Sequence, residues 1–405
     1  MLSSKQKELF KYTVCAACFA LSILVLIIPA TAADTAEVTE LSFDMFDMPI
    51  TNMGNFRDGY LCSDEWIFAP QSSRCDGMPK TRLFNWRSRE IVEMGSGVHN
   101  NWTTCSENGD LFWIVLEEGS SILHMQNGIA GERNSWPVKN AINWSISPNA
   151  EYLGAFGWIG GSLDASAANE YHYTLYSMPA EAAASPVSLY AEEVSVPAGR
   201  YRFYDSCPSL SNNGLMISRR GIVDPSGTKL HAFDDSMEGT FIDAVIDKEG
   251  GFAAYHLREL SMNKTAVVKL IDIEHNLKET EITLPQSRRL EWRSMDFSPK
   301  NSTLAIAGNH EAYFLDNEGQ IIHEHDLADN PCIGVRYSKS RDRILIYGMV
   351  MFQVLDEDFE VVWESEIEKF SPSYLIDGEL NTVITIGESA IYVYKNPSFN
   401  SQSLQ

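Results

Sequence analysis

His323-Glu-His-Asp326 is the densest run of potential metal ligands in the sequence. On a strand, side chains alternate between faces, so His323 and His325 share one face and Glu324 and Asp326 the other. Two histidines so placed supply part of a transition-metal site and leave at least one ligand to come from elsewhere. The competing reading is an outer strand whose polar residues meet solvent. Trp363-Glu-Ser-Glu366, the corresponding stretch further along the chain, is also acid-ended and favours that reading. Asp234-Asp235 and Asp356-Glu-Asp358 offer oxygens that calcium could use. Calcium needs six to eight of them in fixed geometry, and no loop has EF-hand spacing, so these pairs read as solvated turns. No metal site is assigned.

Linear motifs for nucleophilic or phosphate chemistry all fall short by one residue. Gly160-Gly-Ser-Leu-Asp164 lacks the final glycine of a nucleophile elbow. His310-Glu-Ala-Tyr-Phe314 lacks the second zinc-binding histidine, and Gly95-Ser-Gly-Val-His-Asn100 lacks the third glycine of a phosphate loop. Catalytic and cofactor-binding residues therefore stay unknown at this level.

The remaining reactive groups are thiols. Cys15 and Cys18 fall in an N-terminal segment read as removable, which leaves Cys62, Cys75, Cys105, Cys207 and Cys332. In an oxidising compartment these allow at most two disulfides and one leftover thiol. Cys62 and Cys75 are the easiest pair to close, because they flank one short polar loop. The plainer reading makes all five small core residues.

The compartment follows from residues 1–32. Lys5, Lys7 and Lys11 precede an uncharged apolar run from Tyr12 to Ala30, and Ala30-Thr31-Ala32 supplies small residues at a cleavage site. That is a secretory signal-peptide pattern, so the mature chain is expected outside the cytoplasm, secreted or periplasmic, with no membrane span. An uncleaved anchor that tethers the chain is the alternative. The sequence carries 55 acids against 31 Lys plus Arg, a formal charge of −24. That balance excludes binding to a nucleic-acid backbone, which needs clustered cations. Four Asn-x-Ser/Thr triplets, at Asn101, Asn143, Asn263 and Asn301, are no more than chance supplies.

The elements that would position any site emerge from internal repeats. Met295-Asp-Phe-Ser-Pro-Lys-Asn-Ser-Thr-Leu-Ala-Ile-Ala307 reads as a short strand, a polar turn and an apolar strand. Val335–Tyr347 repeats it, and Trp144–Ala155 gives a third copy. With the turn residue as marker, copies occur at Ser63, Ser106, Ser147, Ser211, Asp247, Ser298, Ser338 and Asp377. Most intervals are about 40 residues, the length of one four-stranded propeller blade. The long interval after Ser147 holds two low-complexity insertions. A second turn recurs at Asp316 and Asp356, at a fixed distance from their own markers, where an Asp side chain can bind amides two residues on. The last unit has a strand at Ala390–Tyr394 and then only a polar tail, 398–405. Glu37–Phe43 alternates like a strand and is the donor that would complete it and remove the open edge.

These observations predict an all-β chain, with residues 33–397 forming one β-propeller of eight four-stranded blades, closed by an N-terminal strand. The count falls to seven if the short Ser211 unit merges with a neighbour. In repeat grammar, and in that alone, the chain resembles secreted β-propellers with WD-like or quinoprotein-like blades. The resemblance implies a function on the loop faces or at the channel mouth. The expected role is a non-catalytic binding or scaffold propeller taking a protein or small ligand. A propeller enzyme, either a lactone or ester hydrolase or a cofactor-dependent oxidoreductase, is the alternative.

Overall fold

The structure is a computed structural model. It describes residues 37–42 and 59–396, apart from 71–79, 97, 118–119, 140, 142, 161–168, 180–183, 197–207, 234–238, 260–265, 286–293, 328–329, 340–342, 368–373 and 387–389. The proposed signal peptide, the C-terminal tail, Cys75, Cys207 and Asp234-Asp235 lie outside the described residues.

Every regular element among the described residues is a strand. The strands form eight antiparallel blades in a ring, in the order of the eight markers. Blades 2 to 7 each consist of four strands taken consecutively from the chain. Blade 6 is typical, with strands Met295–Phe297, Leu304–Ala307, Glu311–Leu315 and Ile321–Asp326 from the channel outward. Its second strand is buried throughout and its third nearly so, while its outermost strand is largely exposed. Both faces of the middle strands pack on neighbouring blades, which is why they read as continuous apolar runs. Trp86, Trp113, Trp136, Trp144 and Trp363 are buried in these packed layers.

The Ser211 unit is a complete blade made of very short strands: Ser209–Leu210, Met216–Ser218, Gly221–Val223 and Lys229–His231. Its fourth strand comes before Phe233, which settles the count at eight. Glu37–Ser42 pairs antiparallel with Ala390–Lys395 over six residue pairs, from Glu37↔Lys395 to Ser42↔Ala390. Leu41 is thereby buried against Ile391, Val393 and Ile384. A second seam joins the innermost strands of the first and last blades, where Gly59 and Tyr60 pair in parallel with Leu375 and Ile376. The Leu61 amide donates to the Ile376 carbonyl (2.7 Å).

The markers recur because each performs the same task. The side-chain oxygen of Ser106, Ser147, Ser211, Asp247 and Asp377 accepts an amide from across its own hairpin, at 2.8–3.1 Å. All five are buried, as are Ser298 and Ser338. Three residues on, Gly109, Ala150, Gly214, Gly250 and Leu380 have positive φ, and each amide donates to its marker's carbonyl. This is a hairpin loop ended by a left-handed residue, in which the side chain satisfies an amide the turn would otherwise bury unpaired. Asp316 and Asp356 hold the outer hairpins as predicted. Asp316 Oδ1 accepts the Glu318 and Gln320 amides at 3.0 and 2.8 Å, and Asp356 Oδ1 the Asp358 and Glu360 amides at 3.0 and 2.9 Å. Because strand direction alternates within a blade, both sets of turns lie on one face of the ring.

Candidate functional site at the channel mouth

The inner hairpins bring together the residues that immediately follow the markers. In blade order these are Asp64, Glu107, Pro148, Asn212, Lys248, Pro299, Lys339 and Gly378. Neighbouring positions are tied through the backbone. The Glu107 amide donates to the Pro148 carbonyl (3.1 Å), the Asn212 amide to Lys248 (2.8 Å) and the Lys339 amide to Gly378 (2.8 Å). The Gly378 amide in turn donates to Asp64 Oδ1 (2.8 Å), across the join between the last and first blades.

Four of these side chains carry charge, two of each sign. Lys248 Nζ of blade 5 meets Glu107 Oε2 of blade 2 at 2.6 Å, an ion pair between blades three apart in the ring. Both partners are only about a third exposed, at 30% and 33%, so the pair is screened less than a surface bridge. The Lys339 stem lies over Gly378, where a Cβ would come within 3.6 Å of Lys339 Cδ. Burial lowers the Lys339 ammonium below its usual range; Glu107 and Asp64 pull it back up, and Lys248 adds to the lowering. The mouth is thus a partly desolvated ring of ammonium and carboxylate groups that neutralise one another. A ligand bearing a cation and an anion could exchange with these partners one for one.

Just below the mouth, polar side chains two residues before the markers capture the next blade's inner strand. Ser209 Oγ accepts the Ile246 amide (3.3 Å). Asp296 Oδ2 accepts the Tyr337 amide (2.8 Å), and its Oδ1 the Phe297 amide (3.1 Å). Burial raises the Asp296 carboxyl above the ordinary carboxylate range, opposed by Arg336 and by the two amides. These groups bind blade to blade.

The residues singled out by type lie elsewhere. His323 and His325 do share a face of the outermost strand of blade 6, with ring centroids 6.3 Å apart. That face packs on blade 7: His323 stacks on Phe359 at 4.5 Å, and His325 Nε2 contacts Gln353 Oε1 at 2.8 Å. Among the described residues, no group of three or more His, Cys, Asp or Glu is placed to hold a metal ion. Asp356 and Asp358 belong to the outer turn of blade 7 already described.

The expected Cys62–Cys75 bridge is corrected. Cys62 is bonded to Cys105, with Cα atoms 5.7 Å apart. Each cysteine immediately precedes a marker, so the bond joins equivalent positions of blades 1 and 2. Adjacency in the ring brought these two together, and closeness along the chain proved the poorer guide. Cys332 is a free, buried thiol whose pKa burial pushes far up.

The charged mouth was missed because no two of its residues are near in sequence. The signal lay one position after each marker, where two Lys and two acids fall in register. No family model matches the chain, and no curated protein matches it. Among the many solved structures that match is one titled "Crystal Structure of Mitotic Checkpoint Complex", similar at 10% identity, with a TM-score of 0.46 over 72% of this chain and 89% of that chain.

Proposed function

We propose that this chain is a non-catalytic binding or scaffold propeller, secreted or periplasmic, that takes a protein or small ligand on its loop faces. The observation that carries the reading is the marker-face mouth. There, loops from all eight blades converge, and the Lys248–Glu107 pair and Lys339 form a rigidly backed set of exchangeable charges. Loops on a stiff scaffold are where recognition residues concentrate, and a ring of short braced hairpins presents them with little ordering cost on binding. The location outside the cytoplasm rests on the signal-peptide pattern of residues 1–32.

The test uses the full chain expressed with its N-terminal segment. Mass spectrometry of the product is expected to find Ala33 as the first residue. Retention of Tyr12–Ala30 would replace the secreted form with a tethered one. Metal analysis, visible absorption and melting of the same sample address catalysis. Calcium or a chromophore lost together with thermal stability would contradict the binding reading in favour of a propeller enzyme.

A further inference from the structure

The outermost strands carry most of the exposed aliphatic side chains of the described residues, and blades 6 and 7 differ from the others in how they do so. Blade 6 exposes Ile321 and Ile322 in succession, at 37% and 49%, and blade 7 exposes Val361 and Val362 at 38% and 39%. The cause is a bulge in the same place in both blades. Leu315 pairs with Ile321 and Phe314 with His323, which leaves Ile322 as the extra residue. Leu355 pairs with Val361 and Val354 with Trp363, which leaves Val362 as the extra residue. A bulge re-aims the side chain it inserts. Blade 4 has the same bulge, but there the inserted Leu230 follows Lys229. Blade 3 inserts Leu189 after Ser188 in the same way, so the inserted residue is aliphatic in all four blades, but only in the neighbouring blades 6 and 7 is the residue before it an exposed aliphatic too.

Charge around these aliphatics is one-sided. Neither Glu311–Asp326 nor Met351–Glu366 contains a single Lys or Arg. Glu318, Glu324 and Asp326 flank the isoleucines along the chain, and Glu357, Asp358, Glu360, Glu364 and Glu366 flank the valines. Both strands are the last in their sheets, so their outer N–H and C=O groups face no further strand among the described residues. The two edges are neighbours, since Phe359 of blade 7 stacks on His323 of blade 6. Acids beside an edge are a known guard against self-pairing. Here they also oppose pairing of these edges with the same edges of a second copy of the chain, because carboxylates would meet carboxylates.

We propose that the outer rim of blades 6 and 7 is a strand-docking surface for an extended segment of a partner protein whose aliphatic residues are flanked by lysine or arginine. Backbone pairing along His323–Asp326 or Trp363–Glu366 would supply affinity. The aliphatic pairs would anchor the segment's start, and the acids would fix its register and select against acidic chains. This goes beyond the binding reading above: it keeps a protein partner but places it on the rim, away from the channel mouth.

The probe is a short synthetic peptide alternating Val and Lys, labelled and titrated into the mature chain by fluorescence anisotropy. Three controls accompany it: a Val/Glu peptide, a peptide with Pro at alternate positions and unchanged charge, and the chain carrying Ile322→Lys and Val362→Lys. The Val/Lys peptide is expected to bind saturably and the Val/Glu peptide not at all. The Pro peptide and the double variant are each expected to bind about tenfold more weakly or worse. Both replaced residues are exposed, and an Ile322→Ser, Val362→Ser chain with unchanged melting guards against misfolding. Equal binding by the Pro peptide, or undiminished binding by the double variant, overturns the proposal, as does no binding at all. A Glu107→Ala, Lys248→Ala chain separates the two ideas. If it loses the peptide while the rim variant keeps it, the rim proposal falls and the channel-mouth reading stands.

Discussion

Ser211 shows what one hydroxyl contributes in this fold. Its Oγ accepts the Leu215 amide at 3.0 Å inside a hairpin with no solvent access to the serine. Ser211→Ala leaves that amide only the long contact to Asn213 Oδ1 (3.4 Å), and a buried donor without a good partner costs about 1–3 kcal/mol. Urea denaturation of the variant is expected to show a loss of that size, with an unchanged m-value. A loss near zero would mean that water replaces the hydroxyl and that the marker has another role. At His323 the relevant variable is pH. Burial against Phe359 lowers its pKa, with the neighbouring His325 adding to the effect. Glu360 opposes this in part, but the neutral form is favoured in the fold, so the stability it adds is present above the ordinary histidine value of ~6.5 and is lost as pH falls from that value down through the lowered folded one. His323→Phe, which keeps the ring stack, is expected to flatten melting temperature against pH in that window. An unchanged slope would place the acid sensitivity elsewhere.

At the scale of elements, the hairpin is the unit that the sequence spells out. A Ser or Asp, two residues of which at least one is polar and a residue that adopts positive φ form a local code, and local codes survive in a linear string. The Asp316 and Asp356 turns were legible for the same reason, since each side chain reaches amides two and four residues on. Pairings between blades were not legible. Cys62 and Cys105 are 43 residues apart, and only the coincidence of both with marker positions points to their bond. Peptide mapping without reduction is expected to recover the Cys62 and Cys105 peptides linked. A Cys62–Cys75 linkage would contradict the blade 1–blade 2 register. Loop-closure entropy for a 43-residue loop puts the contribution of the bond at about 4 kcal/mol in the chain-entropy model. Reducing agent is therefore expected to lower the melting temperature of the intact chain and to leave that of Cys62→Ser unaffected.

For the whole molecule, the governing fact is closure. The charged mouth exists only because the ring brings residues 141 apart, Glu107 and Lys248, into one ion pair. Site and fold are thus separated in legibility: repeats show that blades exist, while the composition of the mouth depends on where all eight point. The ring is held at its join by the six-pair strand Glu37–Ser42, the parallel contact of Gly59 and Tyr60 with the last blade, and the Asp64–Gly378 bond. Of these, the N-terminal strand makes the longest pairing and covers the edge that Ala390–Lys395 would otherwise present to solvent. Its removal tests closure most directly. Thermal melting of the chain lacking residues 33–45, compared with the intact mature chain, is expected to show a markedly lower and less cooperative transition, with soluble aggregates from the uncovered edge. An unchanged melting curve would contradict a ring closed by its own N-terminus.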